Sequence, residues 1–168
     1  GIIAPMIASA DPKLRAIVLM AGTASTGRDI LRAQQVYGVD SMAHLTGAAR
    51  EAALANAAKA TDSLAASMAW MKFFLEYDPQ IVARQVKTPV LILQGATDRQ
   101  VPPSEAEKLA AAFRAGGNSR VTVRVFPATN HLFVADATGS FDYGKLPSLH
   151  VRPEVLGAIA DWLSEQFK

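Results

Sequence analysis

Two residues of this chain have both the type and the placement for acid–base chemistry: Asp98 and His131. Asp98 stands just past the apolar run Val90–Gly95, and His131 just past the run Val121–Phe126. In an open parallel sheet, functional groups collect in the loops at the carboxyl ends of the strands. Two neighbouring strands would then deliver a carboxylate and an imidazole to the same edge. A carboxylate that accepts the Nδ1 proton of an imidazole fixes its tautomer and stabilises the imidazolium formed when Nε2 takes a proton. An Asp after a strand can equally be a turn residue bonded to its own backbone. The spacing alone leaves both readings open.

The rest of the inventory narrows the chemistry by exclusion. The chain has no cysteine, which rules out disulfides, thiolate metal sites and cysteine nucleophiles. His44, in a helix-rich stretch, and His150, in a late loop, read as surface or loop-packing residues. Neither has converging carboxylates in the sequence, so no metal or cofactor site is implied. Seventeen Lys and Arg against fifteen Asp and Glu give a net charge of +2. No basic run or aromatic–basic interleaving accompanies it, which argues against a nucleic-acid or membrane-surface role. No apolar stretch approaches the roughly 18 residues of a membrane-spanning helix.

The elements that must hold Asp98 and His131 can be read from periodicity. Arg15 to Gly22 and Val90 to Gly95 are short apolar runs without alternation, the pattern of parallel strands covered on both faces. Val121 to Phe126 alternates, as a half-covered edge strand does. Residues 27–77 are rich in good helix formers and divide into about three helices, with Thr61-Asp62 placed to cap the last. Its Met68, Trp70, Met71, Phe74 and Leu75 read as core packing, or as the lining of an acyl pocket. Ser104 followed by Glu107 is a capping-box signature for a helix ending at Gly116-Gly117. Glu154 to Phe167 is amphipathic, and residues 1–10 read as a short buried helix. Helices alternating with strands point to an α/β architecture of about three parallel strands.

The segment Pro89-Val90-Leu91-Ile92-Leu93-Gln94-Gly95-Ala96-Thr97-Asp98-Arg99-Gln100-Val101-Pro102 resembles the seventh strand and acid loop of the α/β-hydrolase family. Phe126-Pro127-Ala128-Thr129-Asn130-His131-Leu132-Phe133 resembles that family's eighth strand and histidine loop. The closing Ile159-Ala160-Asp161-Trp162-Leu163 is also similar. The resemblance implies a partial α/β-hydrolase fold holding family strands six to eight, with Asp98 as triad acid and His131 as general base. It implies an esterase-like serine hydrolase acting on a small-molecule ester, without a cofactor.

Gly1-Ile2-Ile3-Ala4-Pro5 resembles the helix that follows the Gly-x-Ser-x-Gly elbow, whose serine would lie a few residues upstream. Residues 1–168 are thus expected to be the C-terminal part of such a domain, with the helical stretch 27–86 as a cap-like insertion. Within the chain, Gly22-Thr23-Ala24-Ser25-Thr26-Gly27 is the nearest approach to an elbow. It has one residue too many before Ser25, which a turn or helix cap accounts for. The expectation is a chain inactive by itself. The competing one is a non-catalytic α/β domain, or an assembly partner completed by another chain. The strand Ala16 to Ala21, lacking its family neighbour, should expose an edge that recruits a second copy.

Overall fold

The computed structural model describes residues 1–168. In chain order its elements are α1 (Ile3–Ala10), β1 (Ile17–Met20), α2 (Gly27–Tyr37), α3 (Gly47–Ser67), α4 (Ala69–Glu76), α5 (Pro79–Ala83), β2 (Val90–Gly95), α6 (Ser104–Ala115), β3 (Val121–Phe126) and α7 (Pro153–Gln166). They form two compact units, Gly1–Ala24 with Pro79–Lys168, and Ser25–Asp78.

The first unit is built on a parallel sheet in the order β1-β2-β3. Every residue of the central strand β2 is buried, which is why its sequence is apolar without alternation. Val90 and Ile92 pack with Ala8 of α1, Ala83 of α5, and Leu109 and Phe113 of α6. Leu91 and Leu93 turn the other way, to Val155 and Trp162 of α7 and to Phe133. Burying one such aliphatic side chain stabilises the fold by roughly 1.5–3 kcal/mol, so β2 is the anchor of the sheet. β3 is an edge strand with Arg124 and Val125 exposed. The Trp162 indole N–H donates to Thr122 Oγ1 at 3.2 Å and ties α7 to it.

Several local expectations need correction. Residues 1–10 do hold a helix, but Ile3 and Ile7 are 68% and 51% exposed, and only Pro5 and Ala8 are buried. A helix apolar almost all round can turn only one stripe to the sheet. β1 is shorter than Ala16–Ala21, since Ala21 adopts a positive φ of 48° and leaves the extended conformation. The capping box at Ser104 does not form. Pro103 holds the cap position with helical dihedrals and no side-chain bond, so Ser104 is already inside α6.

The second unit contains α2, α3 and α4. Thr26, not Ser25, caps α2: its hydroxyl accepts from the Asp29 amide and donates to Asp29 Oδ2 at 2.7 Å. Gly27 permits close approach to α4, for a Cβ there would lie 2.5 Å from the Phe74 carbonyl oxygen. Thr61-Asp62 does not start a helix; α3 runs straight through it. Thr61 Oγ1 is bonded to the Ala57 carbonyl and to Gln35, and Asp62 pairs with Arg28 at 2.7 Å. The Met and aromatic stripe is mostly not core. Leu75 is buried, whereas Trp70 is 61% exposed, because the eight-residue α4 carries apolar side chains on several faces. The helical stretch expected over 27–86 also divides earlier. Ala83 and Val86 are wholly buried in the core of the sheet unit, so residues from Pro79 onward belong there.

Candidate functional site

Asp98 sits in the turn that leaves β2, its amide bonded to the Gly95 carbonyl. Its carboxylate is 1% exposed and its two oxygens have separate duties. Oδ1 accepts the backbone amides of Gln100 and Val101, at 2.8 and 2.9 Å. That is the turn role any Asp could play here. Oδ2 accepts Gln94 Nε2 at 2.9 Å and stands 2.9 Å from His131 Nδ1. Oδ1 thus serves the turn, and Oδ2 is the oxygen that meets the imidazole. A carboxylate oxygen only accepts, so the fitting tautomer carries its proton on Nδ1, which makes a charge-assisted hydrogen bond.

Gln94 is the last side chain before Gly95, and it is fully buried. Its Nε2 also donates to the Val101 carbonyl at 3.1 Å, while its Oε1 has no partner. A buried acceptor left unpaired costs about 1–3 kcal/mol. The side chain thus serves the acid turn at some expense to the core.

The histidine loop leaves β3 directly above β2. Ala96 N–H donates to the Phe126 carbonyl, and Thr97 N–H to the Thr129 carbonyl at 3.1 Å. Gly95 makes this possible: a Cβ there would lie 2.2 Å from the Thr129 oxygen and 2.7 Å from that of Asn130. Arg152, before α7, donates to the Pro127 carbonyl and to Thr129 Oγ1. Asn130 Oδ1 accepts the amides of Leu132 and Val134, at 2.9 and 3.4 Å. Asn130 Nδ2 donates to the buried carboxylate of Asp136 at 3.1 Å. Burial alone would push the Asp136 carboxyl up. Hydrogen bonds from the Thr138 hydroxyl and amide, the Gly139 amide and Asn130 outweigh it and hold the group below the usual carboxylate range.

The His131 side chain is 28% exposed, and its Nε2 makes no hydrogen bond within the chain. The structure thus brings together the two residues singled out by sequence and leaves Nε2 without a partner in the chain. His44 and His150 are exposed, and no cluster of three His, Asp or Glu side chains could hold a metal. No helix is long and apolar enough to cross a membrane. Sequence reasoning missed Gln94, Asn130 and Asp136. For Gln94 a signal existed, an amide in an otherwise apolar strand beside a glycine.

Set against known proteins, residues 6–148 match the model of the prolyl oligopeptidase family. No curated protein matches the chain. Among solved structures it is similar to a Klebsiella pneumoniae protein assigned as a dienelactone hydrolase, with 18% identity and a TM-score of 0.48. That alignment covers 98% of this chain and 46% of the other, so the chain spans less than half the length of that protein. The family match takes in β1, β2 and β3 together with Asp98 and His131, and it bears out the α/β serine-hydrolase resemblance: the chain belongs to the prolyl oligopeptidase family.

Proposed function

We propose that Asp98 and His131 are the acid and the base of a Ser-His-Asp triad in an acyl hydrolase. The nucleophilic serine would come from outside these 168 residues. The observation that carries this reading is the 2.9 Å contact between Asp98 Oδ2 and His131 Nδ1, with Nε2 left without a partner in the chain. In the assembled site a serine hydroxyl would attack the carbonyl of an ester while Nε2 takes its proton. The same nitrogen would return that proton to the leaving alcohol, and water would then release the acid. Asp98 would hold the imidazole and balance the imidazolium. The helical unit Ser25–Asp78 is proposed as a cap that sets substrate range. The name of the matched family favours a second reading, a peptide bond as acyl donor, which the same two residues would serve equally.

The test uses a p-nitrophenyl ester and a fluorophosphonate label. Residues 1–168 alone should give neither turnover nor labelling. The protein carrying these residues together with the serine segment should turn over, and H131A should slow kcat by about a hundredfold to ten-thousandfold. Labelling of Ser25 in the 168-residue chain, or an H131A variant of the assembled protein with unchanged kcat, would overturn the proposal. Silence of the assembled protein would leave the non-catalytic domain as the better account. We further propose that the 168-residue chain pairs with a second copy through β1, which pairs with β2 and with no other strand. Sedimentation as a monomer at every concentration would contradict that pairing.

A further inference from the structure

A second buried carboxylate lies beside the histidine loop. Asp136 is 7% exposed and touches neither Asp98 nor His131 through its hydrogen bonds. Its Oδ1 accepts the Thr138 amide, the Thr138 hydroxyl and the Gly139 amide, at 2.8, 2.8 and 3.0 Å. Its Oδ2 accepts Asn130 Nδ2 at 3.1 Å. Its backbone is equally engaged: the Asp136 amide donates to the Ala128 carbonyl, and its carbonyl accepts Thr97 Oγ1 at 2.6 Å. Asp136 therefore reaches the base loop by its carboxylate and the acid loop by its main chain. Gly139 seals that approach, since a Cβ there would lie 1.8 Å from the Thr97 oxygen.

We propose that Asp136, acting through Asn130, is a positioning residue that holds the His131 loop at hydrogen-bonding distance from Asp98. This rests on His131 being the base, and it names what keeps that base in place. The loop needs holding. Ala128 and Phe133, on either side of His131, have positive φ values of 46° and 59°. Such conformations are unfavourable for residues with a Cβ and persist only where the surroundings over-determine them. Asn130 supplies the restraint on the His131 segment, because its Oδ1 takes the amides of Leu132 and Val134. That use of Oδ1 obliges Nδ2 to find an acceptor, and Asp136 Oδ2 is the acceptor present. Four donors converge on the Asp136 carboxylate, which suits a group that only accepts.

The polarity of the Asn130–Asp136 contact provides a stringent test. D136N confronts the Asn130 amide with a second amide and removes the charge that gathers four donors. The swap N130D/D136N restores every bond, with the central one running the other way. The readout is the Nδ1 proton of His131 by proton NMR of the 168-residue chain, a downfield resonance when that proton is held by a carboxylate.

In the unaltered chain the resonance should be present. In D136N it should be lost, or exchange with solvent at least about tenfold faster, while amide shifts of β2 stay put. In the swap it should return. A folded D136N protein that keeps the resonance with unchanged exchange would overturn the positioning role, as would a folded swap that lacks it. Should neither variant fold, exchange in the unaltered chain decides. The Asn130 Nδ2 and His131 Nδ1 protons should then share one rate, and Nδ2 exchange about tenfold faster beside a protected Nδ1 would overturn the role. Absence of the resonance from the unaltered chain is a different failure, since it overturns the acid–base reading itself.

Discussion

Gln94 and His131 meet at a single atom: Oδ2 of Asp98 accepts Gln94 Nε2 at 2.9 Å and lies 2.9 Å from His131 Nδ1. Because Oδ1 is occupied by two backbone amides, Gln94 fixes the remaining degree of freedom, the tilt of the carboxylate toward the imidazole.

Replacing that amide separates stability from function. Q94L deletes an unpaired Oε1, a relief of about 1–3 kcal/mol. It also deletes the donor to the Asp98 carboxylate, a loss of about 1.5–3 kcal/mol, and the donor to the Val101 carbonyl, a loss of about 0.5–1.5 kcal/mol. The relief offsets most of the loss. The melting temperature should fall by only a few degrees, while turnover of a p-nitrophenyl ester by the assembled protein should fall about tenfold. A large drop in melting temperature with turnover unchanged would show that Gln94 serves the core instead.

Asp136 makes stability depend on acid pH. Its carboxyl is held below the ordinary value near 4, so the folded state favours the ionised form. The contribution is fully present above the unfolded value and is lost as pH falls through the folded one. Thermal unfolding of D136N and the unaltered chain should therefore differ by a constant amount above about pH 5 and converge below about pH 4. A difference that is the same at pH 3 and pH 7 would contradict this.

In the helical unit, the Tyr77 hydroxyl is buried without a partner. Burial, and then the charge of Asp78, push this phenol above its usual value. Y77F removes the orphan group and keeps the ring that packs 5.2 Å from Phe73. Stability should rise by about 1 kcal/mol, read as a higher denaturation midpoint. An unchanged or lower midpoint would mean that the hydroxyl is solvated in solution.

The two strands that deliver the site were legible residue for residue. Val90–Gly95 and Val121–Phe126 have boundaries set by turn residues; the first is an apolar run without alternation, as a strand covered on both faces is, and the second alternates, as a strand at the sheet edge does. Asp98 and His131 were legible for the same reason, since each is a short step beyond a strand end. What depends on a return contact was not. The caps at Thr26 and Pro103 are decided by which residue first takes helical dihedrals, and several side chains there could have served. The exposure of Ile3, Ile7 and Trp70 follows from which stripe of a short apolar helix meets its neighbour. Asp136 lies 38 residues after Asp98 in a stretch without periodicity, and only the folding of its loop onto Thr97 and Asn130 gives it a role.

In the proposed site the Asp98 carboxylate holds the His131 proton on Nδ1 and leaves Nε2 free to act. Nitrogen-15 NMR of the imidazole at alkaline pH, in the unaltered chain and in D98N, reads this directly. Nδ1 should be protonated and Nε2 bare, with the proton moving to Nε2 when Asn replaces the carboxylate. An imidazole that already carries its proton on Nε2, and does not respond to D98N, would contradict it.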